Sequence, residues 1–189
     1  KIKSENEAAY PLLSWTSGQD VHTDWIPPEG ASRRVTMERT DEESAVEEIG
    51  RALEYGCVGI VVNTVKRAQK WRELLKEKYP DAVILLDHSR FLTPDRLEHE
   101  KEILERVGKK ASGEVRKGVL VIGTQVLEQS LDLDFDLLVT DLCPMDLLLQ
   151  RIGRLHRHAR IRPQSLDEAR CLVMGAQGEL ESGSRAVYG

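Results

Sequence analysis

The sequence predicts an α/β fold in which helices cover both faces of a parallel β-sheet. Short, almost continuously apolar runs alternate with segments whose apolar residues repeat at helical spacing. A strand that is apolar at nearly every position must be buried on both faces, as the strands of parallel sheets are. The length of 189 residues is about one domain's worth, so a single sheet of this kind is expected.

Five strands are predicted, each from a short run that is rich in apolar or β-branched residues. They comprise residues 58–62, 82–86, 119–122, 135–140 and 171–174. Polar residues follow the first three runs, and parallel α/β sheets bind their ligands beyond the carboxyl ends of the strands. We therefore expect the functional site at that edge of the sheet.

Four helices are predicted from the spacing of apolar residues and from helix-start and helix-stop residues. The third begins at Thr93, and the fourth runs from about residue 145 to residue 158. Residues 108–118 are expected to form a loop. The apolar residues expected to face inward are Val46, Ile49 and Leu53 in the first helix, Ala68, Trp71, Leu75 and Tyr79 in the second, and Leu97, Leu104 and Val107 in the third.

Three segments are expected along the chain. Residues 1–43 mix Pro, Ser, Gly and polar residues and are predicted to be an arm or connector, in which residues 33–39 are the only plausible strand. Residues 44–180 are expected to form the α/β domain and residues 181–189 a tail. The chain begins with Lys1, which suggests a piece of a longer protein, and its apolar runs fall far below the ~18 residues of a membrane span, so no membrane partner is expected. The unpaired cysteines fit a reducing cytoplasm.

Charge is unevenly distributed along the chain. The net charge is −5, yet residues 150–162 carry five arginines and no acidic residue, which predicts a focused cationic site on an acidic body. Gln150, Arg154 and Arg157 would share one face if residues 145–158 formed a single helix. Guanidinium groups are permanently charged and bind phosphate oxygens bidentately, so this face suits a polyphosphate. A solvated basic helix face is the alternative.

Several kinds of catalytic centre are excluded by the sequence. No G-x-x-x-x-G-K-[ST] phosphate loop is present, and no acidic box follows an apolar strand. The chain has only five histidines; His156 and His158 lie in the predicted fourth helix, and His22 and His99 lack acidic and histidine partners at ligand spacing. No nuclease or zinc site is therefore predicted and no metal ligands are assigned. The three cysteines lie too far apart for a redox or zinc pair.

Residues 150–158, QRIGRLHRH, resemble motif VI of superfamily 2 helicases. In the order that this superfamily requires, residues 61–68 (VVNTVKRA) resemble motif IV and residues 123–132 (GTQVLEQSLD) resemble motif V. Residues 86–91 (LDHSRF), together with residues 155–158, are similar to the CRISPR-associated helicase-nucleases of type I interference systems. By this resemblance the chain is identified as the second RecA-like domain of such a helicase, with the P-loop NTPase helicase fold.

The resemblance implies a nucleotide site that is shared between two domains. Arg154 and Arg157 are expected to face the γ-phosphate of ATP, and Gln150 is expected to assist them. Asp132 is expected to contact the ribose, with Arg151 as a further nucleotide contact. ATP and magnesium would both be held mainly by the first RecA-like domain. The residues expected to follow the backbone of a nucleic-acid strand are Asn63, Thr64, His88, Ser89, Arg90 and Thr124.

The resemblance also implies a function, which is that of half an ATP-driven DNA helicase or translocase in CRISPR interference, an antiviral defence. Its partners would be the first RecA-like domain of the same polypeptide, single-stranded DNA and a CRISPR surveillance complex, and the isolated half is not expected to hydrolyse ATP. Two alternatives remain open, a free-standing nucleic-acid- or phosphate-binding module and half of an RNA helicase. For Asn63 and Thr64, capping of the next helix is the alternative to binding nucleic acid.

Overall fold

The structure of this chain, a computed structural model, describes residues 12–25, 34–88, 93–129 and 131–175. These residues belong to two compact units, Lys1–Arg34 and Val35–Gly189. The predicted tail of residues 181–189 lies outside the described residues. Within the described ranges, no helix is long and apolar enough to cross a membrane.

The first unit contains an antiparallel β-hairpin that the sequence patterns did not predict. Strands β1 (Leu12–Ser17) and β2 (Asp20–Trp25) are joined by a two-residue turn that contains Gly18. Gly18 has a φ of 62°, a conformation that glycine adopts without steric cost. The prediction that residues 33–39 are the only strand of this region is therefore wrong. Both hairpin strands mix polar with apolar side chains and lack the apolar runs by which the other strands were found.

The second unit is built on a sheet of six parallel strands. They are β3 (Thr36–Thr40), β4 (Cys57–Val61), β5 (Val83–Asp87), β6 (Val119–Gly123), β7 (Leu137–Asp141) and β8 (Arg170–Met174). Their order across the sheet is β3-β8-β7-β4-β6-β5. All five predicted strands form within two residues of their predicted ends, and the predicted α/β class is confirmed.

Strand β3 lies at one edge of this sheet and extends the sheet-bearing unit toward the amino terminus. It pairs in parallel with β8, and Arg170 of β8 lies 2.8 Å from both Glu38 of β3 and Glu48. The unit therefore begins at Val35, whereas the sequence patterns assigned residues 35–43 to the arm. An edge strand with charged side chains shows no continuous apolar run, which explains the difference.

Helices pack on both faces of the sheet, as predicted, but two details predicted for the third helix and the residues that follow it are wrong. Leu97 and Leu104 are 63% and 37% exposed, because the buried face of this helix carries Ile103 and Val107. Residues 108–118, predicted as a loop, include a short helix. The helices of the described residues are α1 (Glu42–Leu53), α2 (Val65–Lys78), α3 (Thr93–Val107), α4 (Gly113–Arg116), α5 (Val126–Gln129) and α6 (Met145–Ile152).

The hydrophobic core consists of two clusters separated by the sheet. Val58, Ile60 and Val62 belong to the cluster beneath α1 and α2, whereas Cys57 and Val61 belong to the cluster beneath α3 and α6. Alternate side chains of a strand point to opposite faces, so β4 needs an apolar or small residue at every position. The helical layers leave the carboxyl edge of the strands for polar residues.

Candidate functional site

The helix at the start of the arginine-rich region is shorter than predicted. α6 ends at Ile152, and residues 153–162, which we call the arginine segment, continue without α-helical conformation. Phe135 donates its amide hydrogen to the carbonyl of Arg154 at 2.8 Å and accepts a hydrogen bond from the amide of His156 at 3.0 Å. The segment thus runs beside Phe135 as a short parallel bridge.

The prediction of one helix over residues 145–158 is therefore wrong beyond residue 152, and so is the stripe on one helix face. His156 has a φ of 48°, a left-handed conformation that an α-helix excludes. Gln150 lies exposed on the last turn of α6, whereas Arg154 and Arg157 lie in the arginine segment. Tertiary contacts, and not helical spacing, position the two arginines.

Arg154 is half-buried, and backbone carbonyls hold its guanidinium group. Its Nε donates to the carbonyl of Leu127 at 3.3 Å, and its Nη2 donates to the carbonyl of Glu128 at 2.5 Å. Burial and the nearby positive charge of Arg157 lower the pKa of Arg154, while Asp132 acts in the opposite direction. Among the described side chains, no carboxylate forms an ion pair with Arg154.

Arg157 is exposed and forms an ion pair with Asp132. Its Nε lies 2.6 Å from a carboxylate oxygen of Asp132, and Nε2 of His158 lies 3.0 Å from the same oxygen. Burial acts to raise the pKa of Asp132, but the hydrogen bond from Arg157 and the charge of His158 outweigh it and lower that pKa. The structure thus brings three predicted nucleotide-site residues, Arg154, Arg157 and Asp132, to one region, which we call the arginine surface.

Arg151 is fully buried, unlike the surface position expected of a nucleotide contact. Its side chain is 0% exposed, and its Nε lies 2.8 Å from a carboxylate oxygen of Glu128. Its other nitrogens donate to the hydroxyl of Thr140 at 2.8 Å, the carbonyl of Asp141 at 3.2 Å and the side-chain oxygen of Asn63 at 3.2 Å. In this structure Arg151 joins α6 to the ends of the strands, and its buried guanidinium offers no surface to a nucleotide.

Three of the residues predicted to bind nucleic acid lie just beyond neighbouring strands. Asn63, Thr124 and His88 follow β4, β6 and β5, which pair with one another in that order. All three side chains are largely buried, so the structure groups them at one edge of the sheet with little exposed area. The predicted contacts Ser89 and Arg90 lie outside the described residues.

Asn63 and Thr64 use their side chains for hydrogen bonds within the fold, one long-range in sequence and one to the next helix. Nδ2 of Asn63 donates to the carbonyl of Leu142 at 2.9 Å. The hydroxyl of Thr64 accepts a hydrogen bond from the amide of Arg67 at 3.2 Å and thereby caps α2. Arg67 also lies 2.8 Å from Asp141, whose pKa is raised by burial against the opposing charge of Arg67. The capping alternative is thus realised for Thr64.

Buried acidic residues, which the sequence patterns did not single out, reduce the number of arginines that contribute positive charge to the predicted cationic site. They neutralise three of the five arginines of residues 150–162, so that Arg154 and Arg157 remain at the surface. In residues 131–136 acidic and apolar residues alternate, a pattern that places the acidic side chains of a half-buried strand in solvent, so it did not indicate that Asp134 and Asp136 are buried. The pairs are Glu128 with Arg151, Asp134 with Arg160 and Arg162, and Asp136 with Arg162 and Arg116.

The arginine surface has the chemistry to bind a polyphosphate. The charge of Arg154 is partly desolvated, and the carboxylate that pairs with Arg157 is 47% exposed, so an anion can compete for both guanidinium groups. The described part of the chain contains no group of three or more His, Cys, Asp and Glu side chains that could hold a metal ion. The residues on this surface therefore fit the phosphates of a nucleotide and do not themselves form a metal site.

Comparison with known proteins identifies relatives of this chain. Residues 54–160 match the family described as CRISPR-associated nuclease/helicase Cas3, C-terminal. The CRISPR-associated nuclease/helicase Cas3 of Streptococcus thermophilus is 42% identical over 96% of this chain and 20% of the relative. The CRISPR-associated endonuclease/helicase Cas3 of Escherichia coli is 36% identical over 93% of this chain and 21% of the relative. The chain thus spans about a fifth of the length of these curated relatives.

Solved structures share this fold. The crystal structure of a CRISPR-associated protein has a TM-score of 0.86 and 34% identity over 100% of this chain and 22% of that chain. T. fusca Cas3 with AMPPNP has a TM-score of 0.78 and 28% identity, and the match covers 89% of this chain and 22% of that chain. A chain of a pre-nicking CRISPR RNA-guided surveillance complex has a TM-score of 0.79 and 28% identity, and the match covers 96% of this chain and 25% of that chain. The C-terminal domain of the DEAD-box protein Dbp5 shares the fold at 18% identity and a TM-score of 0.51, covering 82% of this chain and 80% of that domain. The predicted RecA-like helicase fold is confirmed.

Proposed function

This chain belongs to the family of CRISPR-associated nuclease/helicase Cas3 proteins, and we propose that it supplies the second RecA-like half of an ATP-driven DNA helicase or translocase. The observation that carries this proposal is the arginine surface, where Arg154 and Arg157 lie together while buried carboxylates neutralise the other arginines of the region. Guanidinium groups stabilise the charge on a phosphoryl group during its transfer, which is the main catalytic need of such a motor.

In the proposed enzyme, ATP and magnesium are held mainly by the first RecA-like domain of the same polypeptide. ATP would supply the phosphoryl group, and magnesium would neutralise part of the charge on its phosphates. Arg154 and Arg157 bind the γ-phosphate, and Gln150 assists from the exposed end of α6. Asp132 orients Arg157 through their ion pair and contacts the ribose. Nucleotide use is supported by the similar T. fusca Cas3, which was solved with AMPPNP.

The nucleic-acid partner in this proposal is single-stranded DNA, which follows the carboxyl edge of β4, β6 and β5. Hydroxyl, amide and guanidinium groups hold phosphates without reading bases, as a motor that works on any sequence requires. The proposed contacts are Asn63, Thr64, His88, Ser89, Arg90 and Thr124. Thr64 would donate its hydroxyl hydrogen to a phosphate while its oxygen caps α2. We place this motor in the cytoplasm, in antiviral defence alongside a CRISPR surveillance complex, because a similar chain occurs in such a complex.

ATP turnover tests the proposal. The purified chain should hydrolyse ATP no faster than background, because its sequence lacks a phosphate loop, whereas the full-length protein that contains it should hydrolyse ATP and respond to single-stranded DNA. Clear turnover by the chain alone would contradict a site divided between two domains. Absence of DNA-stimulated turnover in the full-length protein would contradict a motor.

DNA binding distinguishes the motor from the alternative functions. The chain alone should bind a fluorescent single-stranded oligonucleotide weakly, and its affinity should fall steeply as salt increases, because the proposed contacts are to phosphates. Tight, sequence-selective binding that does not depend on salt would favour a free-standing binding module. Stimulation of the full-length ATPase by RNA in preference to DNA would favour an RNA helicase.

A further inference from the structure

The carboxylate of Asp134 lies at the centre of the contacts that hold the arginine segment. It is 0% exposed. Its Oδ1 accepts a hydrogen bond from the backbone amide of Arg157 at 2.9 Å and another from Nη2 of Arg162 at 2.7 Å. Its Oδ2 accepts from Nε of Arg160. One buried carboxylate therefore binds three residues of the segment that carries Arg154 and Arg157.

Asp136 anchors the same segment to the rest of the fold. It accepts hydrogen bonds from the Arg116 side chain at 2.8 Å and from the Cys57 amide at 2.9 Å, and it forms an ion pair with Arg162. Arg162 thus bridges Asp134 and Asp136. The two carboxylates differ in their relation to the arginine surface. Asp134 accepts a hydrogen bond from the amide of Arg157, whereas the described contacts of Asp136 include no residue of that surface.

Because the Arg157 amide donates to Asp134, the position of the Asp134 carboxylate determines the position of the Arg157 backbone. The side chain of Arg157 pairs with Asp132, and its backbone amide donates to Asp134. Residues 131–136 therefore hold both the side chain and the backbone of Arg157. Phe135 of that stretch also bonds to the backbone of Arg154 and His156. Moving the carboxylate of Asp134 therefore moves the Arg157 backbone without removing any atom of the arginine surface.

We infer that Asp134 is a positioning residue for ATP hydrolysis, which acts by setting the place of Arg157 relative to the transferring phosphoryl group. This inference rests on the proposed function. A catalytic group that is displaced by about 1 Å can lose about 100-fold in rate, although it still carries its charge. Ground-state binding of ATP is held mainly by the other domain, so the loss falls on kcat and leaves KM nearly unchanged.

The test compares Asp134→Asn with Asp136→Asn in the full-length protein. Both substitutions remove one buried charge that pairs with Arg162, so both should lower the thermal midpoint. At a temperature where both variants are folded, Asp134→Asn should lower kcat by about 100-fold with little change in the KM for ATP. Asp136→Asn should lower kcat much less. Equal falls in kcat, or a fall that follows the thermal midpoint, would overturn the inference.

Two further variants keep the result decisive. If Asp134→Asn does not fold, Asp134→Glu keeps the charge that pairs with Arg160 and Arg162 but moves the acceptor of the Arg157 amide by one methylene group. It should lower kcat at unchanged KM, and an unchanged kcat would overturn the inference. Arg157→Ala separates this inference from the proposed function: if Arg157→Ala hydrolyses ATP normally, the proposed function fails, whereas an inactive Arg157→Ala with a normal Asp134→Asn overturns only the role of Asp134.

Discussion

Arg151 and Arg157 belong to the same short stretch of sequence, yet their environments are opposite. The side chain of Arg151 is 0% exposed and bonds to a buried carboxylate, a hydroxyl, backbone carbonyls and an amide oxygen. The side chain of Arg157 is 40% exposed and pairs with an exposed carboxylate. Two residues of one motif thus serve different purposes, one inside the fold and one at its surface.

The difference is set by the acidic residues of another stretch, residues 128–136. Glu128 is 1% exposed at its side chain, whereas Asp132 is 47% exposed. A buried carboxylate makes its arginine part of the core, because neither charge can be left there alone. An exposed carboxylate binds its arginine weakly and leaves the guanidinium accessible to an anion. The positions of the acids therefore indicate which arginines are available for chemistry.

The largest effect of a substitution is expected for ATP turnover at the two surface arginines. Arg154→Ala and Arg157→Ala, made separately in the full-length protein, should each lower ATP turnover by about 10³- to 10⁵-fold, as the loss of an arginine finger does. The free energy of unfolding should fall by about 1 kcal/mol or less, because the lost contacts are an exposed ion pair and hydrogen bonds to carbonyls. Steady-state ATPase assays and thermal unfolding measure the two quantities.

Arg72 provides the matched control, because it lies exposed on α2. Arg72→Ala should keep both activity and stability. Arg160 does not serve this purpose, since its guanidinium pairs with the buried carboxylate of Asp134. Normal hydrolysis by the Arg154 and Arg157 variants, or loss of activity only through unfolding, would refute their assignment to the nucleotide site.

The buried side of the comparison predicts a loss of stability. Arg151→Ala should lower the free energy of unfolding by about 3–5 kcal/mol, because it leaves the buried carboxylate of Glu128 without its charged partner. The double variant Arg151→Met with Glu128→Leu removes both charges and should recover most of that loss. Urea unfolding followed by circular dichroism measures both. A double variant as unstable as Arg151→Ala would show that the ion pair is not the cause.

Acid should weaken the buried ion pairs of Asp136. Burial acts to raise the pKa of Asp136, but the charge of Arg116, the amide of Cys57 and the charge of Arg162 outweigh it and hold that pKa below its usual range. A carboxyl with a lowered folded-state pKa contributes its full stability above the unfolded value of about 3.9 and loses it as the pH falls through the folded value.

Asp136→Asn measures that contribution. The variant should be less stable than the natural chain by about 2 kcal/mol at pH 7. The difference should begin to shrink as the pH falls below about 4, where the carboxyl of the unfolded chain becomes neutral, and should go on shrinking toward the lower folded-state pKa. Thermal unfolding of both proteins between pH 7 and pH 3 gives the comparison. A difference that stays constant over this range would show that the charge of Asp136 contributes nothing.

The smallest effect is expected at the exposed ion pair. Asp132→Asn should change the free energy of unfolding by less than about 1 kcal/mol, since the carboxylate is 47% exposed and the pair is screened by water and salt. Urea unfolding at low and high salt measures this small change. A loss as large as that of Arg151→Ala would remove the distinction between the two classes of arginine.

Much of the fold could be predicted because its signals are local. The strand β4 is apolar or small at every position, and Thr64 stands where a helix needs a cap. The β-hairpin was missed, because polar side chains along β1 and β2 hide the apolar pattern. Strand β3 overlaps the strand predicted at residues 33–39, although that segment was assigned to the arm. Leu97 and Leu104 fit a helical repeat, yet the sheet is covered by another face of the same helix.

The sequence by itself determined the fold class, the strands β4 to β8 and the motifs by which the family was recognised. Only the tertiary structure decided where α6 ends and which arginines reach the surface. The Arg157 amide is held by Asp134, 23 residues away in the sequence, and Arg151 pairs with Glu128 at the same separation. A guanidinium group is buried or exposed according to the partners that folding brings to it, because an unpaired charge is not stable in the core.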